Sequence, residues 1–119
     1  MRAALLAAVS LAPGLAPAQI TDPMLRSAQN DPSTWLHYGK NYASWRYVDL
    51  AEIGTRNVAT LAPRWIHQTG LAGAIETTPL VFGGVMYTTA SGNNAFALDL
   101  LTGRPLWRYS SPVPPGAQG

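Results

Sequence analysis

An all-β chain is expected from three features of the sequence. Eleven Gly and ten Pro among 119 residues imply frequent turns. Charged residues make up only 12%, against about a quarter in average usage, which leaves little to solvate long helices or charged tails. From Pro63 onward, short runs of β-branched and aromatic residues are punctuated by turn residues about every nine positions, the pattern of a sandwich, barrel or propeller blade rather than of βαβ units.

The chain opens with Arg2, an uncharged apolar stretch from Ala3 to Ala12, the breaker Pro13-Gly14, and Ala16-Pro17-Ala18. A positive n-region, a short h-region and a small-x-small site make residues 1–18 an expected secretory signal peptide, with export to the periplasm and a mature start near Gln19. The apolar run is well short of the ~20 residues a spanning helix needs, so no integral membrane segment is expected.

Residues 19–62 read as a helix and loop segment. Met24, Leu25 and Ala28 stand at helical spacing after Thr21-Asp22-Pro23, which offers an N-cap and a proline in the first turn. Asp31-Pro32-Ser33-Thr34 reads as a turn. Trp35, Tyr38, Tyr42, Trp45 and Tyr47 follow without a clean period, and Asn57 to Leu61 reads as a single further turn ending before Ala62-Pro63.

Strands are expected at Arg64–Gln68, Pro79–Phe82, Val85–Thr89, Ala95–Leu98 and Leu106–Tyr109. Gly83-Gly84 is a two-residue hairpin loop; Ser91-Gly92-Asn93-Asn94 and Asp99 to Gly103 are longer ones, so neighbouring strands should be antiparallel. Residues 110–119 hold Pro112, Pro114, Pro115, Gly116 and Gly119 and should be irregular, and the expectation is that the sequence stops before its fold does.

Composition removes several functions. Lys+Arg 8 against Asp+Glu 6 leaves +2, with Lys40 the single lysine, so there is no basic cluster to read nucleic acid. No cysteine is present, which excludes a disulfide framework, a thiolate metal site or a Cys nucleophile in this stretch. His37 and His67 lie thirty positions apart without partners and read as surface or packing residues. Gly70-x-x-Gly73 lacks the strand and helix context of dinucleotide binding.

Within Ala97 to Trp107 stands the spacing A-x-D-x-x-T-G-x-x-x-W. Asp99 can accept backbone N–H bonds in an Asx-type turn, Gly103 can take positive φ, and Trp107 offers a large packing face. This run resembles the tryptophan-docking motif of quinoprotein propellers, in which a Trp from each blade packs against the next. Two further blocks agree. Trp35-Leu36-His37-Tyr38-Gly39-Lys40-Asn41-Tyr42 with Arg46-Tyr47, Ile53, Asn57-Val58, Leu61 and Trp65 resembles the N-terminal segment of pyrroloquinoline-quinone (PQQ)-dependent alcohol dehydrogenases of the methanol/ethanol family. Glu76-Thr77-Thr78-Pro79-Leu80-Val81-Phe82-Gly83-Gly84-Val85-Met86-Tyr87 is similar to that family's E-x-T-P-L-V-x-x-G-V-M-Y block. Val48-Asp49-Leu50 departs from the family's Ser-Pro-Leu at a surface turn.

The resemblance implies an eight-bladed propeller of four-stranded antiparallel blades, with residues 63–109 as the first blade. It implies PQQ and a calcium or lanthanide ion at an axial site, a small alcohol as substrate and a cytochrome c as electron acceptor. Glu76 corresponds to a glutamate that contacts the quinone, and it is the one cofactor-binding residue expected here. Thr77 and Thr78 are read as structural. No catalytic residue and no metal ligand is assigned, because the family's other functional residues correspond to positions beyond Gly119, and the chain alone is expected to be poorly stable and inactive. The rivals are a non-catalytic exported propeller scaffold that binds partner proteins and a membrane-bound glucose-type dehydrogenase. The Glu76 block and the missing lipoprotein cysteine oppose the first, and the single short h-region opposes the second.

Overall fold

The computed structural model describes residues 19–112 and 116; the expected signal peptide, residues 1–18, and tail residues 113–115 and 117–119 lie outside them. Four strands form one antiparallel sheet in sequence order: β1 Leu80–Phe82, β2 Val85–Ala90, β3 Asn94–Asp99 and β4 Pro105–Ser110. This is the expected meander, each strand within one residue of its sequence-based bounds. Gly83-Gly84 closes the first hairpin, with Phe82 opposite Val85.

β3 has a neighbour on either side and supplies most of the core through Phe96, Ala97 and Leu98. β4 has one neighbour and is exposed throughout. Pro105, which has no N–H to donate, opens this edge strand where the missing donor is tolerated. Leu98 faces Pro105 while Ala97 faces Trp107, so Leu106 is an extra residue in a β-bulge.

Cross-strand partners share a face of the sheet. Leu80, Tyr87, Ala97 and Trp107 therefore form one row, with the Tyr87 and Trp107 rings 6.2 Å apart and Trp107 48% exposed. Thr88, Phe96 and Arg108 lie on the opposite face, where the Arg108 guanidinium sits 5.4 Å from the Phe96 ring centre.

That second face corrects one expectation. Arg64–Gln68 is not a strand of the sheet. It packs across the Phe96 face: Trp65 Nε1 donates to the Leu100 carbonyl at 3.0 Å, His67 meets Phe96 edge-on at 5.6 Å, and Ser91 Oγ donates to the Ala72 carbonyl at 2.6 Å. Residues 64–72 thus run from the β3–β4 turn to the β2–β3 loop. Half-buried Trp65, His67 and Thr69 alternate with exposed Arg64, Ile66 and Gln68. Period-two alternation reports which side of an extended chain is covered, not whether its backbone is paired.

Ahead of the sheet, α1 spans Asp22–Arg26 and a 3-10 turn spans Ala28–Asn30, so the helical spacing of Met24, Leu25 and Ala28 is divided between two elements. Pro23 sits in the first turn, but Thr21 makes no side-chain cap. A second 3-10 turn, Val58–Thr60, occupies the expected single turn. Trp35 exchanges backbone bonds with Val81 at 2.8 and 2.9 Å, covering the free edge of β1. Lys40 closes the loop before it, its ammonium donating to the Asp31 and Thr34 carbonyls at 2.6 Å each. His37 Nε2 donates to the Leu25 carbonyl at 2.9 Å while its ring meets Tyr42 at 4.4 Å, a packing role as expected. No helix of the described residues is long and apolar enough to cross a membrane.

Candidate functional site

The Asp99 to Trp107 turn forms one end of the sheet. Asp99 Oδ1 accepts from Leu101 N at 3.1 Å, Thr102 N at 2.9 Å and Thr102 Oγ1 at 2.7 Å. The Thr102 hydroxyl, then its N–H, are the main causes that hold the Asp99 carboxyl below the ordinary aspartate range. Bonds to the ionised form favour it, so this contribution to stability is complete above the ordinary aspartate value and is lost as pH falls through the lower folded one. In an acid titration followed by NMR, the Leu101 and Thr102 amides should move together with an Asp99 midpoint below 3.8. A midpoint at or above that value would contradict the turn.

Gly103 completes the turn at φ +70°. A Cβ added there would lie 2.5 Å from Trp65 Cδ2 and Cε3, so the indole rests directly on the glycine backbone. Trp65 was absent from the sequence-based motif. The signal that finds it is P-x-W, shared by Pro63-Arg64-Trp65 and Pro105-Leu106-Trp107.

The opposite end carries Glu76. The N-terminus of β1, the β2–β3 loop and the C-terminus of β4 come together there, because antiparallel neighbours place these ends side by side. Glu76 is exposed on the connection leading into β1, and among the described residues its carboxyl makes neither an ion pair nor a side-chain hydrogen bond. The adjacent Thr77 accepts at Oγ1 from Thr89 Oγ1 at 3.1 Å. Four residues before Glu76, the Ala72 carbonyl is held by Ser91. The β2–β3 loop is itself braced, since Asn94 Nδ2 donates to the Ser91 and Gly92 carbonyls at 2.8 and 3.0 Å. Asn94 Oδ1 accepts from Arg108 Nε and an Arg108 terminal nitrogen at 3.2 and 2.9 Å.

A depression of about 230 Å³ lies along this part of the sheet, lined by Thr77, Thr78, Leu80, Tyr87, Phe96 and Trp107 among others; Glu76 is not part of its lining. A larger one of about 410 Å³, lined by Ala51, Glu52, Gly54, Thr55, Arg56 and Asn57, is set in an exposed loop and does not involve the sheet. Among the described residues the Glu76 carboxyl is exposed and unshared, which leaves it able to make a single contact to one edge of a polar quinone such as PQQ. A calcium or lanthanide ion does not fit: among the described residues no three His, Cys, Asp or Glu side chains are grouped to hold a metal. Glu76, Thr77 and Thr78 stand in a contiguous sequence block, whereas no local pattern marks Thr89 and Ser91.

Residues 35–118 match the family model described as the glucose/ethanol/alcohol dehydrogenase β-propeller domain, PQQ. The dehydrogenase subunit of a quinone-linked alcohol dehydrogenase from Gluconobacter oxydans is 41% identical over 83 residues, 70% of this chain and 11% of the relative. Methanol dehydrogenase [cytochrome c] subunit 1 of Methylobacterium organophilum is 38% identical over 117 residues, 95% of this chain and 18% of the relative. The solved structure of a quinohemoprotein alcohol dehydrogenase from Pseudomonas putida superposes with a TM-score of 0.74 at 35% identity, covering 79% of this chain and 14% of that one. The chain therefore spans less than a fifth of the length of these relatives. Its four-stranded blade, the docked Trp65 and the match over most of its residues agree, and the chain belongs to the PQQ-dependent alcohol dehydrogenase β-propeller family.

Proposed function

We propose that this chain forms the first blade, residues 63–109, and the leading segment, residues 19–62, of an exported PQQ-dependent dehydrogenase. In this reading the enzyme oxidises a small alcohol and passes the electrons to a cytochrome c. Membership of the family over residues 35–118 is the observation that carries it. The names of the relatives support the alcohol and the cytochrome acceptor. Residues 1–18 support export to the periplasm. The calcium or lanthanide ion of such enzymes is held, in this reading, by residues other than those described.

When bound, PQQ supplies a quinone carbonyl that accepts the two electrons of the alcohol and releases them one at a time. Glu76 orients the cofactor at the end of the blade through a hydrogen bond made by its carboxyl. Thr77 and Thr78 set the backbone that carries it into β1. The leading segment covers the free edge of β1 through Trp35, which keeps the strand nearest Glu76 from fraying.

The test uses the full-length protein carrying these residues, recovered from the periplasm with a mature N-terminus near Gln19. Apo-enzyme is reconstituted with PQQ, and ethanol-dependent reduction of cytochrome c is followed. Glu76→Ala, which removes every donor and acceptor of the side chain, should weaken PQQ binding by about 10- to 100-fold, the worth of a hydrogen bond to a charged group. Unchanged affinity and turnover would remove Glu76 from the site. A wild-type holoenzyme that reduces no cytochrome c with any primary alcohol would overturn the reading as a whole.

A further inference from the structure

Two hydroxyls that belong to no motif hold the connection on which Glu76 stands, and they hold it on both sides of that residue. Ser91 Oγ donates to the Ala72 carbonyl at 2.6 Å, ahead of Glu76. Thr89 Oγ1 donates to Thr77 Oγ1 at 3.1 Å, behind it. Both donors sit at the C-terminal end of β2 and its loop, which the Asn94–Arg108 pairing fixes to β4. Between the two fastenings the chain passes Gly73 at φ +111°, where an added Cβ would come within 3.0 Å of Ser91 Cβ and Oγ. The absent side chain lets the backbone lie against Ser91 closely enough for its 2.6 Å bond.

The consequence is geometric. Glu76 is exposed and makes no side-chain hydrogen bond of its own among the described residues, so its position is set only through the backbone on either side. A loop free at either end spreads its carboxyl over several ångströms, and a misplacement of about 1 Å is enough to weaken an oriented contact severely. We infer that Thr89 and Ser91 are positioning residues, which preorganise Glu76 for its cofactor contact by pinning Thr77 and Ala72 to the β2–β3 end of the blade. This rests on the reading of Glu76 as a PQQ contact.

A positioning role and a merely structural one differ in how they combine with the loss of Glu76. In the full-length protein, PQQ affinity is measured by reconstitution of apo-enzyme for T89V, T89S, S91A, E76A and the double variant E76A/S91A, each checked for its melting temperature. T89V and S91A should each weaken PQQ binding by about 2- to 10-fold, the range of one neutral hydrogen bond. T89S, which keeps the hydroxyl, should bind as the wild type does. E76A/S91A should bind within about twofold of E76A, because two groups acting through one contact are not additive.

Wild-type affinity in T89V and S91A, with E76A weakened, overturns the positioning role and leaves the Glu76 contact standing. Losses that multiply in E76A/S91A also overturn it, since Ser91 would then act independently. Should E76A itself bind PQQ as tightly as the wild type, the contact falls and the positioning role falls with it.

Discussion

Gly103→Val is expected to destabilise the protein by about 2–5 kcal/mol, through two costs that add. A β-branched residue at φ +70° meets the left-handed penalty of about 1–2 kcal/mol. Its Cβ would also stand 2.5 Å from two atoms of the Trp65 ring, and overpacking of that kind costs about 1–3 kcal/mol. The ring cannot retreat without giving up its 3.0 Å bond to the Leu100 carbonyl. Gly103→Asn separates the two costs, because asparagine tolerates positive φ while keeping the intruding Cβ. Urea unfolding of the full-length protein reads the loss, and in a Trp65→Ala background Gly103→Asn should cost much less than it does in the wild type. If Gly103→Asn unfolds at the wild-type midpoint, the indole does not rest on this glycine.

Lys40→Met is expected to cost about 2–4 kcal/mol, because it removes a charged donor from two carbonyls without changing the length of the stem. Lys40 has no solvent exposure, and its ammonium bridges Asp31 and Thr34 at 2.6 Å while lying 5.9 Å from the Trp35 ring centre. Burial pushes its pKa below the ordinary lysine value, and the Asp31 carboxylate pulls it partly back. Between the depressed folded value and the ordinary one the unfolded chain holds the extra proton, so this group's contribution to stability rises with pH across that window. The methionine variant should lack that slope. Its local signature is the edge of β1: hydrogen exchange at the Val81 amide, bonded to the Trp35 carbonyl at 2.9 Å, should accelerate while that of Leu98 stays slow. Equal acceleration at both amides would mean that Lys40 supports the whole blade rather than the loop covering its first strand.

The four paired strands were legible because each signal is local. Turn residues sit at the turns, β-branched and aromatic residues sit between them, and Asp99, Thr102 and Gly103 make their bonds within five positions. Glu76 could be nominated for a similar reason, since the block around it is contiguous in the sequence. Arg64–Gln68 carries the alternation of a strand without being one, because alternation looks the same whether the covered side meets a neighbouring strand's ladder or the flat face of a sheet.

The sequence by itself determined the all-β character, the order of β1 to β4 and their bounds to within one residue, the Asp99 turn and the family to which the chain belongs. Tertiary structure alone decided that Trp65 seats on Gly103, that Lys40 is sealed beneath the loop at β1, and that Thr89 and Ser91 fasten the chain around Glu76. Those contacts join residues 6 to 38 positions apart and depend on how the sheet face, its edge and its loops meet. No local propensity encodes such a meeting; it exists only once the strands have paired and fixed the surfaces on which the rest of the chain can pack.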